Sequence, residues 1–287
     1  MRMLKASLES LAGLSVLLAL PALAEPTAVR GDHSQAMLVS TGESASPGQA
    51  LSVVLRLTHD DGWHSYWINP GDSGLATRLR WRLPDGWQAG ELGWPTPVRF
   101  ELDGIHNFGY GGAVGLPTML KVPADAVPGE TVTLQADARW LVCKDICVTE
   151  KASLALPVSI GAPASTATDP ALRQSSDANL PRIAAVSEGR IESAGQTFDF
   201  LLSGLPASFT PGMRVEVFPR STQWLSHRPL SAVVDERQQL EFVAARNDYF
   251  TRWPEQPVLL LKPEAGEQPA YELTLDLPPP DLTGDAP

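Results

Sequence analysis

Apolar and polar residues alternate with a period of two along several stretches of the chain. In "ALSVVLRLT", Leu51, Val53, Leu55 and Leu57 fall on one side of an extended backbone. In "TRLRWRL" (77–83), leucine and tryptophan alternate with arginine, which is typical of a strand with one buried and one solvated face. These stretches therefore predict half-buried β-strands.

The same alternation continues in "TVTLQADARWLV" (131–142) and in "KASLALPVSI" (151–160). Turn signals separate the predicted strands, namely "NPGDSG" (69–74), "PDG" (84–86) and "VPGE" (127–130). Short strands at this spacing predict an all-β fold that begins with an immunoglobulin-like β-sandwich.

Composition agrees with this fold class and divides the chain. The 26 prolines and 23 glycines leave few stretches long enough for a long helix. Residues 162–182 are small, polar and proline-bearing, without aromatic residues, and predict a linker. We therefore expect a first domain at 25–161, a second, smaller β-domain at 183–277, and a disordered tail at 278–287.

The first residues have the pattern of a secretory signal peptide. Arg2 and Lys5 form a basic start, an apolar run follows at 11–20, and small residues of an A-x-A site end at Ala24. The apolar run is shorter than the roughly 20 residues that a membrane-spanning helix needs. We expect cleavage after Ala24 and export of the remaining chain.

Charge and length narrow the function classes further. A formal net charge of −11 does not suit binding to the phosphate backbone of nucleic acids or to an anionic membrane. No later apolar stretch is long enough for a membrane span, so we expect none in the exported chain. The chain is also long enough to build its own core, and it does not need a disulfide to fold.

Both cysteines of the chain lie in "WLVCKDICVTE", as Cys143 and Cys147. A structural disulfide that closes so short a loop stabilises by only about 2 kcal/mol in the chain-entropy model. The alternative is a redox pair at a tight turn between two strands, where Lys144 favours a neighbouring thiolate and Asp145 opposes it. Spacing and compartment leave the structural and the redox interpretation open.

Metal binding is a third interpretation of the cysteine pair. Two thiolates with a nearby histidine suit Cu(I) or zinc, and the C-x-x-x-C spacing also occurs in Sco-type copper proteins. No histidine lies at a fixed short spacing from the cysteines. The histidines are His33, His59, His64, His106 and His227. A Cu(I)-handling module and a non-catalytic interaction domain with a structural disulfide therefore remain alternatives.

Three motifs together resemble the periplasmic N-terminal region of the DsbD/ScsB thiol:disulfide interchange proteins, in particular the ScsB-like branch. They are "WLVCKDIC", "WHSYWINPGDSGL" (63–75) and "NFGYGG" (107–112), within a resemblance that covers about residues 30–160. The resemblance implies an immunoglobulin-like domain in the periplasm. It also implies that Cys143 and Cys147 shuttle between dithiol and disulfide, with Cys147 forming the mixed disulfide.

The resemblance also implies a cap, partners and an activity. In the family a short aromatic loop covers the cysteines, which makes Phe108 the first cap candidate and Tyr110 the second; ordinary core packing is the alternative for Phe108. The implied activity is that of a thiol:disulfide oxidoreductase of the protein-disulfide reductase type, with no bound cofactor. Because the sequence holds no multi-helix membrane region, we expect a separate membrane electron donor and periplasmic thiol–disulfide oxidoreductases as partners.

Overall fold

The computed structural model describes residues 27–40, 45–161, 179–266 and 268–282. The regular secondary structure of these residues consists of β-strands alone, which confirms the all-β prediction. Among these residues no helix is long and apolar enough to cross a membrane. The predicted signal peptide, most of the predicted linker and the end of the predicted tail lie outside the described residues.

Eleven strands belong to the first region. They are β1 (Val29–Arg30), β2 (Ser34–Ser40), β3 (Ala50–His59), β4 (His64–Gly71), β5 (Arg78–Arg82), β6 (Gln88–Leu92), β7 (Val98–Leu102), β8 (Ile105–Gly111), β9 (Ala113–Lys121), β10 (Thr131–Cys143) and β11 (Cys147–Ser159).

Eight strands follow in the second region. They are β12 (Arg182–Val186), β13 (Glu188–Ala194), β14 (Thr197–Ser203), β15 (Arg214–Pro219), β16 (Ser231–Val233), β17 (Leu240–Ala245), β18 (Val258–Pro263) and β19 (Tyr271–Leu275).

The first region is an immunoglobulin-like β-sandwich, as the alternation predicts. One sheet has the order β1-β2-β3-β9-β6, and the other has the order β11-β10-β4-β8-β7 with β5 also paired to β10. Leu51, Val53, Leu55 and Leu57 are all completely buried between the sheets. Their burial confirms the face that the period-two pattern assigned to the core.

The longest element of the second sheet is the β10–β11 hairpin. Its two strands pair without a break from Thr131 opposite Ser159 to Cys143 opposite Cys147. Leu134, Ala136, Ala138 and Trp140 on β10 point into the core cluster, since alternate residues of a strand share a face. The opposite face of this hairpin therefore points outward, away from the core.

The second region consists of two smaller sheets around a core of their own. One has the order β12-β19-β18-β15-β16, in which β12 and β19 are parallel, and the other has the order β13-β14-β17. Trp224, Phe198 and Phe200 are among its largest fully buried side chains. These residues give the second region a hydrophobic core that is distinct from the first.

Some side chains of the second region pack into the core of the first region. Phe218 of β15 is completely buried and belongs to the core cluster of the first region. The side-chain amide of Asn69 donates hydrogen bonds to the carbonyl oxygens of Pro219, at 2.7 Å, and Ser221, at 3.3 Å. Asn69 lies in "NPGDSG", and the structure extends β4 to Gly71 where the sequence pattern predicted only a turn.

Candidate functional site

The two cysteines form a disulfide at the tip of the β10–β11 hairpin. Cys143 ends β10 and Cys147 begins β11, and the two face each other in the strand ladder with their Cα atoms 4.2 Å apart. The turn is closed by a hydrogen bond from the Lys144 amide to the Ile146 carbonyl at 3.0 Å. Local strand pairing therefore brings the sulfurs together.

The two cysteines differ in their accessibility. Cys143 is 3% exposed, whereas Cys147 lies on the exposed surface of the hairpin. Because Trp140 and Val142 point into the core, Cys143 and its facing residue Cys147 belong to the outward face of the sheet. A partner can reach Cys147 without entering the core.

His64 is the neighbour of Cys143 on the other side. It begins β4 and faces Cys143 directly, so that the imidazole and the disulfide share the outward face. Its other facing residue is Gly111, whose missing side chain leaves room for the ring of Phe100. Phe100 and His64 stack with ring centroids 4.1 Å apart and planes 12° apart.

The His64 imidazole is held in its neutral form. It is 8% exposed, and its Nε2 atom makes no hydrogen bond with any described residue. Burial, with a smaller contribution from the charge of His59, lowers the pKa of His64 to about 4. At neutral pH an uncharged ring with an unused polar atom therefore stands beside Cys143.

Tyr66 is a further neighbour of the disulfide, on the same face of β4 as His64. Its hydroxyl oxygen lies 3.9 Å from the Cys147 Sγ atom, and its ring is 1% exposed. The chain passes closely over this ring at Gly74, which has a φ of 98° and where a Cβ atom would collide with the ring. Burial raises the pKa of Tyr66, so its hydroxyl stays protonated and available to a sulfur acceptor.

A buried carboxylate fixes the inner face of the same hairpin. Glu150 is 5% exposed, and it accepts hydrogen bonds from the His33 amide, at 2.6 Å, and from the Ser34 hydroxyl. The Trp140 indole donates to the Ser34 hydroxyl oxygen at 2.9 Å. These bonds tie β11 and β10 to the start of β2 and limit the movement of the hairpin that carries the disulfide.

The predicted cap residues lie in the hydrophobic core of the first region. Phe108 is completely buried, and its ring centroid is 5.3 Å from that of Phe218. Tyr110 is also buried, and its hydroxyl donates to the Pro95 carbonyl at 2.7 Å. Because Gly111 shares the outward face with His64, both aromatic side chains point to the opposite face from the disulfide. Capping by these residues stays a prediction, and it would require β8 to rearrange.

Three of the other histidines have side-chain partners of their own, namely His33, His59 and His227. His33 stacks on Trp63, and the His59 Nδ1 atom lies 2.7 Å from the Gly112 carbonyl oxygen. His227 pairs with Asp72 at 2.8 Å between Nδ1 and Oδ1. Within the described ranges, no three side chains of histidine, cysteine, aspartate or glutamate gather as a set of metal ligands.

Sequence reasoning named His64 only among the histidines considered as metal ligands, and it did not single out Tyr66 or Phe100. β4 begins at His64, and its pairing with β10 was not predictable from local residues. The available signal was the alternation of His64 and Tyr66 in "WHSYW", which puts both on one face of β4.

The fold and the site together define a class of protein: an immunoglobulin-like β-sandwich with a surface disulfide at the tip of its longest hairpin. Residues 35–159 match the sequence model of the family described as "Thiol:disulfide interchange protein DsbD, N-terminal". This part of the chain is therefore similar to a DsbD N-terminal domain, in agreement with the resemblance seen in the motifs. No sequence among curated proteins matches the chain.

One solved structure supports the same fold over a longer stretch. The N-terminal periplasmic domain of ScsB from Proteus mirabilis has a TM-score of 0.61 and 17% sequence identity, covering 88% of this chain and 98% of that chain. The GAE domain of yeast GGA1 has a TM-score of 0.27 with 14% identity, covering 47% of this chain and 100% of that chain. The first likeness shows a shared fold, and the second is too low to do so.

Proposed function

We propose that this protein exchanges disulfides with other proteins through the Cys143–Cys147 pair. The observation that carries the proposal is the asymmetry of the disulfide, in which Cys147 is exposed and Cys143 is buried. A structural bridge gains nothing from one accessible sulfur, whereas exchange requires a sulfur that an external thiolate can reach. The match of residues 35–159 to the interchange family supports the same chemistry.

The exchange proceeds in two balanced steps. A partner thiolate attacks Cys147 Sγ, the new intermolecular S–S bond forms, and the Cys143–Cys147 bond breaks with its electron pair on Cys143 Sγ. A second partner thiolate then attacks the partner's sulfur in the mixed disulfide. The partner leaves as a disulfide, and Cys147 is released as a thiolate. In the opposite direction the Cys147 thiolate attacks a partner disulfide, and Cys143 resolves the mixed disulfide.

The residues beside the disulfide have roles in these steps. Cys143 is the leaving group in a buried position, where a bare thiolate is poorly solvated. The neutral His64 ring faces it, and the protonated Tyr66 hydroxyl lies near Cys147. Both groups can form hydrogen bonds with a thiol or a thiolate as the charge moves between the two sulfurs.

The setting of this chemistry is also part of the proposal. We place the protein in the periplasm, exported after cleavage behind Ala24, with a separate membrane protein and periplasmic thiol–disulfide oxidoreductases as its redox partners. Residues 25–161 would form the redox domain, joined through 162–182 to a second domain at 183–277. The family match and the ScsB likeness support this assignment.

The test is the reduction potential of the pair, measured by equilibrating the protein in glutathione or dithiothreitol buffers. We expect a value in the range of known exchange proteins, about −120 to −270 mV. A value below about −300 mV, typical of structural bridges, would overturn the proposal. A pair that stays reduced in air and binds Cu(I) stoichiometrically would replace it with the copper-handling alternative.

A further inference from the structure

Three cations lie side by side on the outward face of the cysteine-bearing sheet. Arg139 on β10 faces Arg78 on β5, and on its other side it faces Lys151 on β11. All three residues are exposed. Like charges directly opposite each other in a sheet are destabilising, and this protein has a net charge of −11. The fold therefore gains no stability from this cation row.

The cation row is not neutralised by its surroundings. Among the described residues, none of its three side chains takes part in an ion pair. The carboxylate of Asp137, one alternate position further along β10, pairs with Arg82 at 2.7 Å and accepts a hydrogen bond from Ser153. The row consequently presents uncompensated positive charge to the solvent.

A cavity lined partly by apolar side chains lies next to the cation row, on the side of the disulfide. Its volume is about 240 Å³, and Leu75, Leu141 and Thr149 are among its lining residues together with Arg78 and Arg139. The Leu75 side chain is 58% exposed at its edge. Leu141 and Thr149 face each other, directly between the cation row and the disulfide.

The disulfide, the cavity and the cation row follow one another at regular intervals along the hairpin. Cys143, Leu141 and Arg139 occupy alternate positions of β10, so neighbouring features are about 7 Å apart along the strand. An extended segment lying along the hairpin repeats this interval, because its alternate side chains also share one face. It can place a cysteine, an apolar side chain and a carboxylate on the three features at once.

We propose that this strip of the hairpin is the docking surface for the protein's redox partner. The partner presents an extended segment in which its reactive cysteine, an apolar residue and an acidic residue occupy alternate positions. The carboxylate pairs with the cation row, the apolar side chain enters the cavity, and the cysteine reaches Cys147. This inference rests on the proposed exchange function, since it places the partner's thiol at the same disulfide.

The test uses the oxidised full-length chain and short synthetic peptides. The first peptide carries cysteine, leucine and glutamate at alternate positions, and it is made in two versions with the opposite order of these residues. A second has lysine in place of glutamate, and a third has the glutamate moved by one position. The second-order rate constant of exchange is measured for each at about 0.1 M ionic strength, where charges act over about 10 Å. Dithiothreitol serves as an uncharged reference thiol.

We expect the glutamate peptide to react about tenfold faster than the lysine peptide, because local charge steers association. The net charge of the whole protein favours the opposite order, so this result would identify the local cation row. Arg139→Gln combined with Arg78→Gln should remove most of the preference and leave the dithiothreitol rate unchanged. Lys121→Gln, an exposed cation on the other sheet, is the matched control and should change neither rate.

Equal rates for the glutamate and lysine peptides, or a preference that survives the double arginine variant, would overturn the docking proposal. Equal rates for the in-register and shifted glutamate peptides would overturn the spacing argument. Failure of the exchange function itself looks different, because the disulfide would then resist dithiothreitol and glutathione across the whole range of exchange potentials.

Discussion

The two faces of the sheet formed by β4, β8 and β7 differ in what they contact. The outward face holds His64, Tyr66 and Phe100 around the disulfide, whereas the inward face carries Phe108 and Arg99 against the second region. The Arg99 guanidinium lies 4.3 Å from the ring centroid of Phe218 and donates to the Val217 carbonyl at 2.7 Å. The residues around the disulfide and the residues that contact the second region thus lie on opposite faces of the same strands.

Neighbouring residues of β7 show how the two faces are connected. Arg99 is held by the second region, and the next residue, Phe100, covers His64 beside the disulfide. Since alternate side chains of a strand point in opposite directions, fixing Arg99 also fixes the position of Phe100. The second region, which holds no cysteine, therefore still supports the residues that cover the disulfide.

The largest expected effect concerns the disulfide itself. Cys147→Ser should abolish exchange, since the exposed sulfur is the one that partners reach. Cys143→Ser should instead accumulate a mixed disulfide, because the resolving thiol is lost. Mass spectrometry after alkylation distinguishes the two results. Two single variants that both shuttle electrons normally would contradict the assignment of roles.

Phe218→Ala tests whether the second region supports the first. Removing a fully buried phenylalanine typically costs about 3–5 kcal/mol, and here the ring belongs to the core cluster of the first region. We expect a loss of that order in the free energy of unfolding of the first region, measured by tryptophan fluorescence in denaturant. Phe242→Ala, within the second core alone, is the control and should leave the unfolding of the first region unaffected.

His64 should make stability depend on pH. Its folded pKa, about 4, lies below the unfolded value of about 6.5, so the unfolded state binds the proton first. Stability is therefore complete above about pH 6.5, and on the order of 2 kcal/mol is lost as the pH falls toward 4. His64→Gln should flatten this part of the profile of unfolding free energy against pH.

Burial also lowers the pKa of His59, so the profile of the His64→Gln variant should keep a smaller slope. His106→Gln, which removes an imidazole at the far end of β8, is the matched control. A His64→Gln profile as steep as that of the wild type would show that the imidazole is not held neutral in the folded protein.

The smallest expected effect concerns the Asp72–His227 pair between the two regions. Burial alone would raise the pKa of Asp72, but the His106 amide and His227 hold it below its usual value. The pair therefore stabilises the folded protein above about pH 4. This contribution disappears as the pH falls through the lowered pKa of Asp72 in the folded state. Asp72→Asn should cost less than about 1 kcal/mol at neutral pH, since the carboxylate is partly exposed.

The measurement is the free energy of unfolding of Asp72→Asn against pH. Its control is Glu192→Gln, which breaks the exposed Arg190–Glu192 pair within the second region and should have almost no effect. Equal losses in the two variants would show that the interface pair is no different from an ordinary surface pair.

Much of the fold was predictable because its signals are local. The alternation at Leu51–Leu57 and along β10 predicted buried faces that the structure confirms. The cysteine pair was predictable as a hairpin disulfide for the same reason, since Cys143 and Cys147 are joined by one tight turn. The cap prediction for Phe108 and Tyr110 came from family resemblance, and the structure places both rings in the core.

The sequence by itself determined the strands, the sandwich class and the position of the disulfide, because each depends on residues close together in the chain. Only the tertiary structure decided which residues surround the disulfide and the docking strip. His64 reaches Cys143 through the pairing of β4 with β10, and Arg78 reaches Arg139 through β5. Phe218 arrives from a different region altogether. Such pairings depend on the packing of whole sheets, which no local pattern of residues specifies.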